Sequence, residues 1–278
     1  MTREFAPDIP RTPEGWIDMP SDTQLRKNLF FPDEVMNHPA KMNLHMQMAV
    51  IDYVASPGET MMDPFGGTGS LMVAALHEVR VVLIEIEHGY HELQKKSVAN
   101  LERWFPGKGQ LVTLLQGDNR FLMPIPCDHV CTSPPYAAAM KIKSVRDCDI
   151  DNAYIQKTKT SVRLSEWDKQ MSEYCKSERN ISNLNSFLYT RAMEKIYTLC
   201  YQSVRPGGTV TINTKDRIEN GKRVYLSEWV CRVFKQLGAE QDSWHKFKAM
   251  GSGFTKIARS QGKNTVDQED VIVFRKPL

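Results

Sequence analysis

The sequence predicts an α/β fold, a mixed and mostly parallel β-sheet with helices on both faces. Three observations predict it. Short aliphatic runs alternate with helical stripes along most of the chain, the pattern of a layered α/β domain. One run, Val79-Arg80-Val81-Val82-Leu83-Ile84-Glu85, is β-branched or aliphatic on both faces, as a strand covered on both sides requires. Four polar residues, Asp63, Glu85, Asp118 and Ser133, fall just past the ends of predicted strands. Open parallel sheets bind ligands beyond the carboxyl ends of their strands, so four motifs converge on one edge.

Length and composition suit one large domain. A chain of 278 residues with 41% hydrophobic content can bury a real core. No apolar run is long enough to span a bilayer, and the start lacks a signal-peptide pattern. The expectation is a soluble, cytoplasmic chain with no membrane partner. The cysteines at 127, 131, 148, 175, 200 and 231 make no paired metal-ligand spacing, so a reduced chain without a metal site is expected. A net charge of +3 does not announce nucleic acid, although a local basic face can still bind it.

In chain order, residues 1–34 are proline-rich and lack periodicity. They read as an N-terminal arm, partly irregular, with Trp16 and Leu29-Phe30-Phe31 as packing anchors. Residues 35–278 form the main domain. Asn37-His38-Pro39-Ala40-Lys41 precedes a helix with Leu44, Met48 and Ile51 on one stripe and Asn43 as N-cap. After the turn Ser56-Pro57-Gly58, a first strand runs into Asp63-Pro64-Phe65-Gly66-Gly67-Thr68-Gly69-Ser70. Glycine lets this turn approach a ligand, and a helix from Ser70 to about Glu78 would aim its first N–H groups there. The dinucleotide fingerprint fails because Met72 replaces its third glycine, and phosphate-loop chemistry fails for want of Gly-Lys-Ser/Thr.

The second strand ends at Glu85, where an acid can accept hydrogen bonds from both hydroxyls of a ribose. Glu87 competes for that task. A helix from Tyr90 to Phe105 follows, and the strand Leu111 to Gln116 ends in Gly117-Asp118-Asn119. The strand Asp128 to Thr132 delivers Ser133-Pro134-Pro135-Tyr136. Residues at about 137–185 then depart from α/β alternation, with bases (Lys141, Arg146, Lys157) and aromatics (Tyr154, Trp167) interleaved. Segments this long are functional or disordered, and this one reads as a lid or target-recognition element, with a bland insertion as the alternative. Beyond it come a helix from Phe187 to Val204, the turn Arg205-Pro206-Gly207-Gly208, a strand from Thr209 to Thr214 and a helix from Leu226 to Leu237. A strand near Trp244 and another at Val271 to Phe274 finish the chain. Gly251 to Gln268, polar and basic, is either a grip on a nucleic-acid backbone or a solvated loop.

The Asp63-to-Ser70 turn and the Ser133-to-Tyr136 turn together resemble those of the S-adenosylmethionine-dependent DNA amino-methyltransferases. The Ser-Pro-Pro-Tyr variant is most typical of the cytosine-N4 branch. The linear order, with the cofactor motif before the catalytic motif, resembles one group of these enzymes. The resemblance covers about residues 37–136 and 184–275. It implies a class I (Rossmann-like) methyltransferase fold with a seven-stranded sheet, and makes residues 35–278 its catalytic domain. It places His38, Pro39 and Lys41 beside the cofactor. It gives cofactor binding to Asp63, Pro64, Phe65, Gly66, Gly67, Thr68, Gly69 and Ser70. It aligns Glu85, Ile86 and Tyr90 with the family's acid–aliphatic–x–x–x–Tyr pattern, and implies that Asp118, followed by Asn119, meets the cofactor's adenine. Ser133, Pro134, Pro135 and Tyr136 become the catalytic turn.

That turn also has a mechanical reading. Two prolines fix φ and remove two N–H donors, so the turn presents mainly acceptors to an exocyclic amine. Tyr136 would stack on a base that is first flipped out of a duplex. Pro126-Cys127 precedes the strand instead of following it, so a thiol nucleophile is set aside. The implied partner is DNA, double-stranded by preference. Adenine-N6 methylation, an RNA amine as acceptor, a cofactor-binding regulator without turnover, and a homodimer stay open at this point.

Overall fold

The computed structural model describes residues 3–38, 41–135, 176–219, 221–249 and 259–278. Pro39, Tyr136, most of the 137–185 insertion and Gly251 to Ala258 lie outside the described residues. The strands are β1 (Thr60–Asp63), β2 (Arg80–Glu85), β3 (Val112–Gln116), β4 (Cys127–Thr132), β5 (Val204–Thr214), β6 (Arg217–Glu219), β7 (Lys222–Val224), β8 (Glu240–Lys248) and β9 (Gln268–Arg275). The helices are α1 (Thr23–Lys27), α2 (Leu44–Val54), α3 (His88–Trp104), α4 (Asn119–Leu122), α5 (Ser186–Ser203) and α6 (Leu226–Gln236).

Seven strands form one sheet in the order β3-β2-β1-β4-β5-β9-β8. The first five are mutually parallel, and β9 enters antiparallel between β5 and β8. This is the expected mixed, mostly parallel sheet of a Rossmann-like α/β fold. Successive residues of a strand point to opposite faces, and each face has its own core. Met61, Leu83 and Val271 pack with α2, the arm and Leu101 of α3. Their neighbours Met62, Ile84 and Ile272 pack with Met193, Ile196 and Cys200 of α5 and with Phe234 of α6. The two-faced aliphatic run at 79–85 thus sits second from the edge, with apolar layers on both sides.

Local sequence explains several boundaries. Asn43 caps α2 by accepting from the backbone N–H of His45 at 2.8 Å, a bond that typically stabilises a helix by about 1 kcal/mol. Ser70–His77 winds as a 3-10 helix instead of the expected α-helix. Its residues Leu71 to Ala75 are all buried.

The arm lies against the body. Phe5, Ile17, Met19, Phe30 and Phe31 are buried, whereas Trp16 is only half-buried. Ile17 docks on the sheet's outermost strand: its N–H donates to the Lys246 carbonyl and its carbonyl accepts from Lys248, both at 2.9 Å. An otherwise open strand edge is thereby partly covered. The β6–β7 pair was not expected, although Asn220-Gly221 between the two strands is a strong hairpin signal.

Candidate active site

β1 and β4 run side by side with Met61 opposite His129 and Met62 opposite Val130. Their carboxyl ends therefore leave the sheet together. There the Thr132 hydroxyl donates to Asp63 Oδ1 at 2.6 Å, and the same oxygen accepts from the Phe65 N–H at 2.9 Å. The second bond is a side-chain turn typical of aspartate. One buried carboxylate thus shapes the glycine-rich turn and ties it to the residue just before Ser133. Burial pushes the Asp63 carboxyl up to about 6, against the pull of those two bonds.

The loop is held on β2. The Gly66 N–H donates to the Ile84 carbonyl at 2.8 Å. A Cβ at Gly66 would stand 3.2 Å from that carbonyl oxygen and 2.8 Å from Gln94 Nε2, so this close approach needs glycine. Gly69 has φ +86°, and starts the 3-10 turn from behind the cavity.

The two acids after β2 divide their work. Glu85 accepts from the Gly67 N–H at 2.6 Å with one oxygen and from the Glu87 N–H at 2.7 Å with the other. It buckles the glycine loop to the start of α3. Burial pushes its carboxyl up to about 8. Glu87 instead accepts from Asn180 Nδ2 at 2.7 Å and from the Ser177 N–H at 3.0 Å. It anchors the end of the long insertion, where Arg179, Asn180 and Ile181 reach the cavity.

Asp118 accepts from the N–H of Arg120 at 3.0 Å and from its guanidinium at 2.6 Å. Burial pushes its carboxyl up, but Arg120 outweighs burial and holds it below the usual range. Asn119 Nδ2 donates to the Pro64 carbonyl at 2.8 Å, joining the third and first strand ends. Lys41 Nζ donates to the Met36 carbonyl at 2.9 Å and to that of His38, closing its own turn. Burial, with Lys41 and Arg26 nearby, brings the His38 imidazole down to about 3, so it is neutral at physiological pH. The His38 ring lies 4.6 Å from that of Tyr90.

On the acceptor side, Asn213 Nδ2 at the end of β5 lies 3.4 Å from Ser133 Oγ. The Tyr189 hydroxyl of α5 donates to the Pro135 carbonyl at 2.6 Å. Pro134 is buried behind them. Burial pushes the thiols of both Cys127 and Cys131 up to about 12, so neither supplies a thiolate at neutral pH.

Between these turns lies a cleft, open to solvent, with a cavity volume of about 90 Å³. Its walls include His38, Lys41, Asp63, Pro64, Phe65, Gly66, Gly67, Thr68 and Ser70. They also include Glu85, Ile86, Asp118 and Asn119, and both Ser133 and Pro135. Gly69 and Pro134 are the described candidates that do not line it. The two turns thus share one cavity. Apolar walls (Phe65, Ile84, Ile86, Ile181) and carboxylates at strand ends suit a nucleoside, which has a flat ring and a ribose diol. The residues present therefore fit S-adenosylmethionine.

Several contributing residues carry no signal in the sequence. Arg26 of α1 is fully buried; it donates to Asp22 at 2.8 Å, to the Met42 carbonyl at 2.9 Å and to the Ser70 hydroxyl at 3.0 Å. Thr132, Tyr189, Asn180 and Asn213 likewise act across elements. The last residues of β4 and β5 could have been singled out only from their place at the rim.

Residues 16–96 match a family model described as DNA methylase. The match includes the glycine turn and Glu85 and ends before Asp118 and Ser133. No curated protein matches the chain. Among solved structures, TrmN from Thermus thermophilus is similar at 12% identity and TM-score 0.47, over 86% of this chain and 50% of that one. This chain thus spans half the length of that relative. A methyltransferase from Pyrococcus furiosus is similar at 14% identity and TM-score 0.49, over 92% and 95% of the two chains. A precorrin-8w decarboxylase from Methanobacterium thermoautotrophicum is similar at 12% identity and TM-score 0.48, over 87% and 98%. The family-model match, over residues 16–96, is to DNA methylases, a family that uses S-adenosylmethionine.

Proposed function

We propose that this protein methylates the exocyclic N4 amine of cytosine in DNA, using S-adenosylmethionine. The observation that carries the reading is the single cavity walled by both the Asp63–Ser70 turn and Ser133, with Thr132 hydrogen-bonded to Asp63 beneath it. When bound, the cofactor supplies a methyl group on a sulfonium, a good leaving group. The chain's own residues then bind, orient and shield. Asp63, Pro64, Phe65, Gly66, Gly67 and Thr68 form one wall, with Ser70 behind them. Glu85, Ile86, Asp118 and Asn119 form the nucleoside wall, and His38 and Lys41 close the end.

The Ser133 hydroxyl oxygen, which lines the cleft, accepts a hydrogen bond from the amine. This turns the nitrogen lone pair toward the methyl donor, so most of the rate enhancement is positioning. Tyr136 stacks on the base. In duplex DNA the base leaves the stack first, at a cost of a few kcal/mol. The insertion at about 137–185 serves as lid or target-recognition element. Support comes from its described end, where Glu87 holds Ser177 and Asn180 at the cavity. With both nearby thiols held protonated, transfer to nitrogen is direct, without a covalent enzyme–base intermediate.

The test is methyl transfer from labelled cofactor to double-stranded DNA, followed by nucleoside analysis. N4-methylcytosine is the expected product. N6-methyladenine alone would overturn the choice of base, and label entering RNA but not DNA would overturn the choice of polymer.

A further inference from the structure

Ser133 touches a buried amide with an unusual imbalance. Asn213 lies at the end of β5, is 4% exposed, and sets its Nδ2 3.4 Å from Ser133 Oγ. Its other end, Oδ1, is buried with no hydrogen-bond partner among the described residues. A buried amide oxygen without a donor is costly. The two ends of an amide are nearly alike in shape, so the partners decide which is which. At 3.4 Å the contact to Ser133 Oγ is long for an amide N–H donor, and the same position admits the amide oxygen. With the amide reversed, the Asn213 oxygen accepts the Ser133 O–H.

We infer that Asn213 is a positioning residue for the acceptor turn: its side-chain oxygen takes the Ser133 hydroxyl hydrogen and leaves both lone pairs of Ser133 Oγ facing the substrate amine. This rests on the functional reading above. A serine hydroxyl has one hydrogen and two lone pairs, and its hydrogen rotates to the best acceptor. Left free, that hydrogen would turn toward the amine nitrogen and occupy the lone pair that must attack the methyl group. Fixed on Asn213, it keeps Ser133 an acceptor. β5 supplies the fixing group because it neighbours β4, with Thr132 opposite Ile212, so Ser133 and Asn213 leave the sheet adjacent. Asn213 does not line the cleft, so it acts through Ser133 and not on substrate.

The experiment is a double-mutant cycle on the single-turnover rate of DNA methylation, with cofactor affinity and Tm measured alongside. Asn213→Leu should slow transfer about tenfold, a modest misorientation cost, without changing cofactor Kd. In the Ser133→Ala background the same change should alter the rate by less than about twofold, because the partner it orients is gone. Asn213→Asp keeps an acceptor oxygen in place and should retain most of the wild-type rate; it also serves if the leucine variant fails to fold. An unchanged rate in Asn213→Leu, an equal loss in both backgrounds, or a folded Asn213→Asp as slow as Ser133→Ala would each overturn the inference. A wild-type protein that methylates no nucleic acid would instead overturn the functional reading itself, and this inference with it.

Discussion

At the amino-terminal end of the parallel strands, Glu59 and Asp128 share the guanidinium of Arg205, and Glu59 also meets His129 Nε2 at 3.1 Å. At the carboxyl-terminal end, Asp63 and Glu85 are buried with no salt bridge among the described residues; backbone N–H groups and one hydroxyl are their donors. The acids are of the same kind at both ends, and their states differ. Burial raises all four, but hydrogen bonds from His129 and Arg205 hold Glu59 and Asp128 below their usual values. Asp63 and Glu85 rise to about 6 and about 8. One end is a paired clamp on β1, β4 and β5. The other keeps polar capacity in reserve beside a cavity, as perturbed carboxyls at binding sites do.

Substitutions at the two ends should separate activity from stability. The largest effect belongs to the cavity end. Ser133→Ala is expected to slow methyl transfer about 10²-fold or more, the scale of lost alignment, with Tm unchanged; a rate within threefold of wild type would contradict the acceptor role. Next comes Thr132→Val, which leaves Asp63 one donor short at the same volume. Denaturant unfolding should show a loss of about 1–2 kcal/mol, together with weaker cofactor binding because the glycine turn loosens. A loss of stability without weaker binding would uncouple the two turns.

Glu85 gives a prediction in pH. Its folded value, about 8, lies above the ordinary 4.5, so the folded protein keeps a proton that the unfolded chain releases. The stability from that proton is full below about pH 4.5 and is lost as pH rises through 8. Wild-type stability should therefore fall relative to Glu85→Gln between pH 5 and 9, and chemical denaturation at several pH values measures the difference. A constant difference would mean that Glu85 is ionised throughout. The smallest effect is expected at the opposite end. Arg205 is half exposed, and Arg205→Met should cost about 0.5–1 kcal/mol and leave cofactor affinity and methylation rate untouched.

The succession of strands and helices along the chain and the place of each turn were legible because a buried parallel sheet writes itself as aliphatic runs closed by glycine and acidic residues. Asp63, Glu85, Asp118 and Ser133 stand where the sequence put them, at the ends of β1, β2, β3 and β4. What each does was less legible. Glu85 and Glu87 differ by two positions, yet one buckles the glycine loop and the other anchors the returning insertion; nothing in Glu-Ile-Glu separates the roles. Arg26 sits in a stretch without periodicity, and its partners Met42 and Ser70 are 16 and 44 residues away. Asn213 looks like any polar residue at a strand end until β5 is set beside β4. The 3-10 winding at Ser70–His77 is not distinguished from an α-turn by any stripe in the sequence. The β6–β7 hairpin is different: Asn220-Gly221 is a hairpin signal that went unread.

The account depends on a donor site and an acceptor site that are adjacent and separable. Calorimetric titration of S-adenosylmethionine into wild type, Ser133→Ala and Asp63→Ala tests this directly. Wild type and Ser133→Ala should bind with the same Kd, and Asp63→Ala at least tenfold more weakly, about 1.4 kcal/mol. No binding to wild type, or equal affinity in wild type and Asp63→Ala, would contradict it.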